Sequence, residues 1–343
     1  MRQNRNFIFD ATKALAIWLV LLGHCVQYLS GADYHTDVLY QFIYSFHMPL
    51  FFMVSGFFFA SSLKLNWWQF LQKKALTLLL PCFVWGIVVA CMEFSSWGNL
   101  AADIFIPIHW PFWFLKVLFL VQLVAFISLK LTGYLKIGKI KTLLLAIVCS
   151  ILFCLLPYAS TARMMIPAFW VGYILKLFYE QFVRHHKLIA IITALAYIGI
   201  YIFWAIQTSR QPSESISLYQ LVSADSLPIM SFILIFCKRL LGIAGSIAII
   251  AAMHELKKEY KPIAIIGAST AGIYILQTFI LEKGLAFIFN KYIDLYFLPI
   301  YLNYLLMIFI SFILLIFITW LYRQLSKSNI ISLILFGTGT LKK

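Results

Sequence analysis

The sequence predicts an all-α protein, a polytopic integral membrane helical bundle of about ten transmembrane helices with both termini in the cytoplasm. Hydrophobic residues make up 63% of the 343 residues, and charged residues make up 11%. So few charges cannot cover the surface that so much apolar mass would present to water, which excludes a soluble globular protein. We expect a single membrane-embedded domain over residues 1–343, because the connectors are too short to fold alone.

Ten apolar runs approach the roughly 20 residues that a spanning helix needs. They lie near residues 11–30, 40–62, 75–95, 113–131, 142–157, 163–180, 187–206, 229–252, 262–281 and 301–322. A cleaved signal peptide is a competing interpretation of the first run, because Arg2 and Arg5 precede it. Asp10 and Lys13 interrupt the entry to its apolar stretch, which favours a helix that is retained.

The connectors between the runs alternate in charge. Lys and Arg concentrate in the N-terminal segment, in every second connector and in the tail, whereas the other connectors hold most of the acidic residues. By the positive-inside rule the basic side is cytoplasmic, so the number of spans is even. The net charge of +15 is therefore explained by topology, with the lipid bilayer rather than nucleic acid as the partner.

The first run carries three ionisable residues, Asp10, Lys13 and His24. Eleven residues of α-helix separate Lys13 from His24, which is about 16 Å of rise and about 20° from three full turns, so both share one face. Asp10 can pair with Lys13 at a spacing of three residues. Charged groups are costly in lipid, so this stripe is expected to face the bundle or a wet cavity. The alternative is an interfacial Asp10–Lys13 pair with a structural His24.

Two histidines are candidates for chemistry, because imidazole titrates near neutral pH. His24 lies in the outer half of the first helix. His47 lies in the second run beside Pro49, which removes a backbone donor and should kink that helix. His47 either satisfies a carbonyl freed by the kink or takes part directly in the reaction.

Cations and tryptophans provide further candidates for binding. Lys73 and Lys74 face the predicted cytoplasmic side, and Lys238 and Arg239 lie some ten residues into the eighth run. Arg239 could hold a phosphate or pair with an acidic residue of another helix. Flat aromatic surfaces that suit sugar rings, or that form an ordinary interfacial belt, are predicted at Trp97, His109, Trp110 and Trp113. The cysteines and histidines lack metal-site spacing, so no metal is expected.

Several motifs resemble the membrane acyltransferase 3 family, and within it the fucose 4-O-acetylase-like branch that modifies sugars of bacterial surface polysaccharides. They are Phe9-Asp10-Ala11-Thr12-Lys13, Gly23-His24, Phe46-His47-Met48-Pro49-Leu50-Phe51-Phe52 with Ser55-Gly56-Phe57, Trp113-Phe114-Leu115, Phe169-Trp170-Val171-Gly172-Tyr173, Ile266-Gly267-Ala268-Ser269 and Ile273-Tyr274. The Lys13-to-His24 spacing matches the family's Arg/Lys-x10-His motif. Gln277 departs from the pattern, because many relatives have histidine there, and Lys73 and Lys74 stand where many have an arginine-rich stretch.

The resemblance implies a membrane O-acyltransferase, most simply an O-acetyltransferase, of the bacterial cytoplasmic (inner) membrane. Its donor substrate would be cytoplasmic acetyl-CoA, and its acceptor a hydroxyl of a cell-surface or exported polysaccharide, or of a lipid-linked precursor. His24 would act as a base or become acylated, with Lys13, Asp10 and His47 in support. The donor-binding set implied is Lys73, Lys74, Arg239 and Trp113.

A proton-coupled transporter or exporter of a sugar or small molecule is the alternative function. Intramembrane His, Asp and Lys side chains relay protons as readily as they catalyse acyl transfer. Asp10 and Glu93 lie near helix ends, whereas acidic residues at mid-membrane would favour transport. A flippase for lipid-linked glycans is a weaker possibility, because such chains tend to have more helices.

Overall fold

The structure is a computed structural model that describes residues 6–31, 34, 36–93, 112–153, 160–210, 229–292, 295 and 298–338. All regular secondary structure in these ranges is helical. The chain divides into two compact units. Unit 1 comprises Met1–Tyr44, Trp67–Phe119 and Tyr260–Lys343, and unit 2 comprises Ser45–Asn66 and Leu120–Glu259. The single domain over residues 1–343 stays a prediction.

The α-helices are numbered in chain order. They are α1 (Phe7–Leu29), α2 (Val38–Phe59), α3 (Trp67–Lys74), α4 (Leu80–Glu93), α5 (Trp113–Gly133), α6 (Lys139–Phe153), α7 (Ser160–Leu177), α8 (Tyr179–Arg184), α9 (His186–Arg210), α10 (Ile229–Met253), α11 (Lys261–Ala268), α12 (Thr270–Gln277), α13 (Ala286–Tyr292), α14 (Ile300–Leu325) and α15 (Asn329–Phe336). A 3-10 turn, Ala60–Lys64, extends α2. Two π-helical segments keep the chain helical between neighbours: Ala75–Leu79 joins α3 to α4, and Thr278–Leu285 joins α12 to α13.

Eight helices or joined helices within the described ranges are long and apolar enough to cross a membrane, which makes this a polytopic helical membrane protein. They are Phe7–Leu29, Val38–Lys64, Trp67–Met92, Trp113–Gly133, His186–Gln207, Ile233–Met253, Thr270–Phe289 and Ile300–Leu325. Each overlaps one of the ten predicted runs, although the observed bounds shift by several residues at some ends. The other two runs fall on α6, beyond which residues 154–159 are not described, and on α7. Ten spans with cytoplasmic termini stay a prediction.

Helix α1 is the most enclosed of the spans in unit 1, and it packs against α11, α12 and α14. Gly267 of α11 lies directly against the backbone carbonyl of Asp10, where a side chain would not fit. Two polar contacts tie α1 to α14. Trp18 Nε1 donates to Ser311 Oγ at 3.0 Å, and Asn303 Nδ2 donates to the carbonyl oxygen of Ser30 at 2.9 Å. These contacts therefore fix the position of the helix that carries Asp10, Lys13 and His24.

Close glycine contacts also organise unit 2. Gly56 of α2 lies against the carbonyl of Phe169, and Gly172 of α7 lies against the carbonyl of Met53, so the two backbones touch on both sides. The Ser-Gly and Gly-Tyr motifs of the sequence thus mark one close helix crossing. Near Pro49, Ser246 Oγ lies 3.5 Å from the Phe46 carbonyl, which supplies a polar neighbour at the interrupted turn.

Candidate active site

Asp10 and Lys13 form an ion pair at one end of the α1 stripe. Lys13 Nζ lies 2.7 Å from Asp10 Oδ1, as the spacing of three residues predicted. The Asp10 side chain is 8% exposed and that of Lys13 is 26% exposed. Asp10 Oδ2 is buried and has no hydrogen-bond partner among the described residues. The lysine is therefore the main compensation for a buried carboxylate.

His24 faces a carboxylate that the sequence did not assign to the site. Its Nδ1 lies 3.8 Å from Oε1 of Glu282, and the two side chains are 19% and 18% exposed. Nδ1 is buried and accepts or donates no hydrogen bond within the described part of the chain. The separation exceeds a hydrogen bond by less than 1 Å, a looseness common in catalytic sites without substrate. The arrangement is an imidazole–carboxylate pair at a partly accessible position.

Glu282 is held in place by its own helical segment. Gln277 Nε2 donates to Glu282 Oε1 at 2.8 Å, and Thr278 Oγ1 donates to the same oxygen at 3.3 Å. The hydroxyl of Tyr28 on α1 is also hydrogen-bonded to this carboxylate. Gln277 and Glu282 are five residues apart, which is the spacing of backbone hydrogen bonds in a π-helix such as the segment Thr278–Leu285. Gln277 therefore orients the Glu282 carboxylate.

Sequence reasoning misses Glu282 because the ninth predicted run, residues 262–281, ends one residue before it. That boundary places the glutamate in the connector that follows. The structure continues the span as Thr270–Phe289 through the π-helical segment. The available signal was a lone acidic residue after a run that carries Gln277 and Thr278, both able to hydrogen-bond a carboxylate.

Aromatic rings surround the imidazole of His24. Tyr28 stacks on it with centroids 5.8 Å apart and ring planes 9° apart, and Tyr44 approaches edge-on at 6.5 Å. Gly23 makes room for this approach, since a Cβ there would lie 2.8 Å from Tyr44 Cε2. Gln27 interacts with the imidazole and accepts a hydrogen bond from the Tyr44 hydroxyl at 3.4 Å. The Gly23-His24 motif thus places the imidazole next to a glycine that leaves room for the Tyr44 ring.

His47 belongs to the part of α2 in unit 2, where its side chain is 2% exposed. Arg239 also lies in unit 2, half-buried in α10. The structure therefore assigns these two predicted site residues to one unit, and Asp10, Lys13, His24, Lys73, Lys74 and Trp113 to the other. Their functional roles stay predictions.

The remaining predicted donor contacts lie on two helices of unit 1. Lys73 and Lys74 end α3 immediately before the π-helical segment Ala75–Leu79, with Lys73 exposed and Lys74 half-buried. Trp113 begins α5, is 37% exposed and contacts the ring of Phe114 edge-on. Trp97, His109 and Trp110 lie outside the described residues. Lys73 and the Trp113 ring therefore lie at the surface of the described chain.

The motif near the C-terminal end supports the framework of the site. Ser269 Oγ donates to the carbonyl of Ile265 at 2.8 Å at the junction of α11 and α12. The hydroxyl of Tyr274 accepts a hydrogen bond from the backbone N–H of Phe114 at 3.4 Å, which links α12 to the start of α5. With Gly267 against α1, these residues fix the helices that carry His24 and Glu282.

Comparison with known proteins identifies the family of this chain. The family model described as "Acyltransferase domain" (Acyl_transf_3) matches residues 6–324. The nodulation protein NolL of Mesorhizobium japonicum is 30% identical over 127 residues, 34% of each chain, and NolL of Sinorhizobium fredii is 28% identical over 102 residues, 29% of this chain and 28% of the relative. The chain thus aligns with about a third of the length of these curated relatives. No solved structure shows a significant match. On the strength of the family match over residues 6–324, this chain belongs to the acyltransferase 3 family of membrane acyltransferases.

Proposed function

We propose that the protein is a membrane O-acetyltransferase that moves acetyl from cytoplasmic acetyl-CoA to a hydroxyl of a cell-surface or exported polysaccharide sugar. The observation that carries this proposal is the pair of His24 and Glu282, 3.8 Å apart at a partly accessible position in a chain of the acyltransferase family. The proposed location is the bacterial inner membrane, where one face meets the donor and the other meets exported glycans.

The His24–Glu282 pair suggests a separate role for each nitrogen of the imidazole. Nδ1 faces the Glu282 carboxylate, so a proton on Nδ1 is favoured there and the lone pair is left on Nε2. Nε2 is the atom that we assign to the reaction. Glu282 acts as a positioning residue, because it stabilises the imidazolium that forms when Nε2 takes a proton.

In the direct route, Nε2 removes the proton from the acceptor hydroxyl as the oxygen attacks the thioester carbonyl. The new C–O bond forms, the C–S bond breaks, and the imidazolium returns its proton to the departing thiolate of coenzyme A. In the two-step route, Nε2 attacks the thioester carbonyl, and the C–S bond breaks to release the thiolate of coenzyme A. The sugar hydroxyl then attacks the acetylated imidazole, the C–N bond breaks, and the hydroxyl proton passes through His24 to the thiolate. Both routes need the Nδ1–Glu282 contact.

The donor is proposed to approach from the Lys13 end of α1, about 16 Å of helical rise from His24. Its phosphates would meet Lys73 and Lys74, since anionic groups bind most strongly beside cations, and Arg239 of unit 2 is kept as a predicted phosphate contact. Trp113 is retained as a proposed donor contact, and His47 as a residue that positions His24 or the acceptor. Asp10 holds Lys13 in place through the 2.7 Å ion pair.

The deciding experiment compares surface glycans from cells that express the wild-type chain or His24→Ala. Mass spectrometry should detect an added acetyl group with the wild type and none with the variant. His185→Ala is the matched control, because His185 is an exposed histidine that follows α8. Full acetylation by a normally expressed His24→Ala protein would refute the assignment.

A proton-coupled transporter is the second candidate, because a His24–Glu282 pair within a span could also relay protons. Membership of the acyltransferase family favours the enzyme. Purified protein separates the two functions. An acetyltransferase binds and consumes acetyl-CoA in a His24-dependent way, whereas a transporter moves its cargo without acetyl-CoA.

A further inference from the structure

Four tyrosines form a continuous group beside His24, and we call Tyr28, Tyr34, Tyr40 and Tyr44 the tyrosine cluster. Tyr40 and Tyr44 stack with centroids 3.8 Å apart, and Tyr34 meets Tyr40 at 5.0 Å. Tyr28 and Tyr44 reach the imidazole itself, at 5.8 and 6.5 Å between centroids. The rings therefore lead from the segment between α1 and α2 to the proposed reacting atom.

The tyrosine cluster is held in its arrangement by polar contacts at the start of α2. Asp37 Oδ1 accepts a hydrogen bond from the backbone N–H of Tyr40 at 2.8 Å, which caps the helix. The other oxygen, Oδ2, accepts from the hydroxyl of Tyr304 at 3.0 Å. Tyr44 is fixed by the space above Gly23 and by its bond to Gln27. A surface ordered in this way loses little entropy when a ligand binds.

All four rings are partly exposed, so they remain accessible. Each provides a flat apolar face and a hydroxyl, a combination that supplies contact area at a low cost in side-chain entropy. Two charged groups near the cluster, Asp37 and Glu282, are acidic and would repel the phosphates of coenzyme A, while Lys283 follows Glu282 and offsets part of its charge. The cation of the α1 stripe, Lys13, lies about 16 Å of helical rise before His24. This end of the site thus suits a neutral ligand rich in hydroxyl groups.

We infer that the tyrosine cluster is the acceptor subsite and that it takes the pyranose ring of a glycan. The C–H face of the ring would lie on the tyrosines, and a ring hydroxyl would point towards His24. Tyr28 begins this surface about 6 Å of helical rise beyond His24, so a bound sugar would lie next to Nε2. The inference rests on the proposed acetyl transfer to a sugar and adds the place where the acceptor ring binds and the residues that select it.

The test uses the full chain in detergent with methyl pyranosides of the gluco, galacto and fuco series, and with glycerol as a hydroxyl compound that has no ring face. Variants Tyr34→Leu and Tyr40→Leu keep apolar bulk and lose the aromatic face, whereas Tyr40→Phe keeps the face. Tyr201→Leu removes a partly buried tyrosine of α9 in unit 2 and is the matched control. Three quantities are measured: release of coenzyme A without acceptor, formation of acetylated glycoside, and saturation transfer from protein to sugar ring protons in NMR spectra.

The leucine variants should raise KM for the glycoside about fivefold, since a ring contact contributes about 1 kcal/mol, while KM for acetyl-CoA and acceptor-free release of coenzyme A stay within twofold. Saturation transfer should be strong with the wild type, Tyr40→Phe and Tyr201→Leu, weak with the leucine variants, and absent for glycerol. Unchanged glycoside KM and saturation transfer in both leucine variants, or no wild-type transfer signal from any of the three glycosides, would overturn the subsite. Tyrosine-dependent sugar binding without any acetyl transfer would instead refute the acetyltransferase and leave the subsite standing.

Discussion

Nδ1 of His24 and Oε1 of Glu282 lie 3.8 Å apart, although the two residues come from the first and the penultimate spans that the structure describes. Gln277, Thr278 and Tyr28 all bond the carboxylate, so its position is fixed by three side chains rather than by the imidazole alone. The geometry gives Nδ1 of His24 a defined charged neighbour, and Gln27 also interacts with the imidazole.

The variant Glu282→Gln keeps the size of the side chain and removes its charge. We expect kcat to fall about 100-fold, because the imidazolium loses its stabilising carboxylate, while KM for acetyl-CoA changes little. The pH dependence of kcat should also change, which a purely structural role would not cause. Glu259→Gln, at an exposed glutamate, is the control. A kcat within twofold of wild type would show that Glu282 does not assist His24.

The ion pair of Asp10 and Lys13 should support stability. Lys13→Met leaves a buried carboxylate without its cation, so we expect unfolding in detergent to become easier by about 2 kcal/mol, below the range for fully buried pairs because Lys13 is partly exposed. The double variant Asp10→Asn with Lys13→Met should regain part of this loss. A measured KM for acetyl-CoA separates the roles. If KM rises in the double variant after stability returns, Lys13 also meets the donor.

Gly267 should tolerate no side chain, because it lies against the Asp10 carbonyl. We expect Gly267→Ala to destabilise the protein by about 1–3 kcal/mol or more through overpacking, seen as a lower melting temperature in detergent. Gly199→Ala on α9 is the matched control, since nothing lies within 4 Å of a Cβ built there. The control should be neutral or stabilising by about 0.5–1 kcal/mol. Equal melting temperatures for the two variants would show that the α1–α11 contact is looser than described.

In unit 2, hydrogen bonds that involve two histidines, a glutamate and a tyrosine should make the stability of the fold depend on pH. His186 Nε2 lies 2.6 Å from Glu255 Oε1, and the Tyr179 hydroxyl lies 3.1 Å from Nε2 of His254. Burial lowers the pKa of His254 from its ordinary value of 6.5. The hydrogen bond from His186 lowers the pKa of Glu255. Because both pKa values are lower in the folded chain, the unfolded chain binds more protons, and stability is lost as the pH falls.

The measurement is the melting temperature in detergent between pH 7.5 and 4. His254 should cause a decline below pH 6.5, and Glu255 a further decline below its ordinary value of 4.5. His254→Gln should flatten the first decline, because glutamine can accept the Tyr179 hydrogen bond without titrating. A melting curve for His254→Gln that follows the wild type at every pH would show that His254 does not contribute.

Some features of this site follow from local sequence and others do not. The Asp10–Lys13 pair and the shared face of Lys13 and His24 depend on helical spacing alone, so the sequence predicted them. Glu282 depends on a π-helical segment that changes the register after Gln277, and no pattern of apolar residues reports such a segment. Its approach to His24 also depends on how distant spans pack, which one sequence does not encode in any local spacing.

The close contact of α1 with α11, α12 and α14 has a consequence for biosynthesis. The ribosome makes α1 before α11, α12 and α14, so this span enters the bilayer before its permanent neighbours exist. Until those neighbours are made, the charges of Asp10 and Lys13 must be compensated by each other, by lipid headgroups or by the insertion machinery. A half-made chain has His24 but lacks Glu282, so the imidazole–carboxylate pair of the candidate site forms only once the later span is inserted.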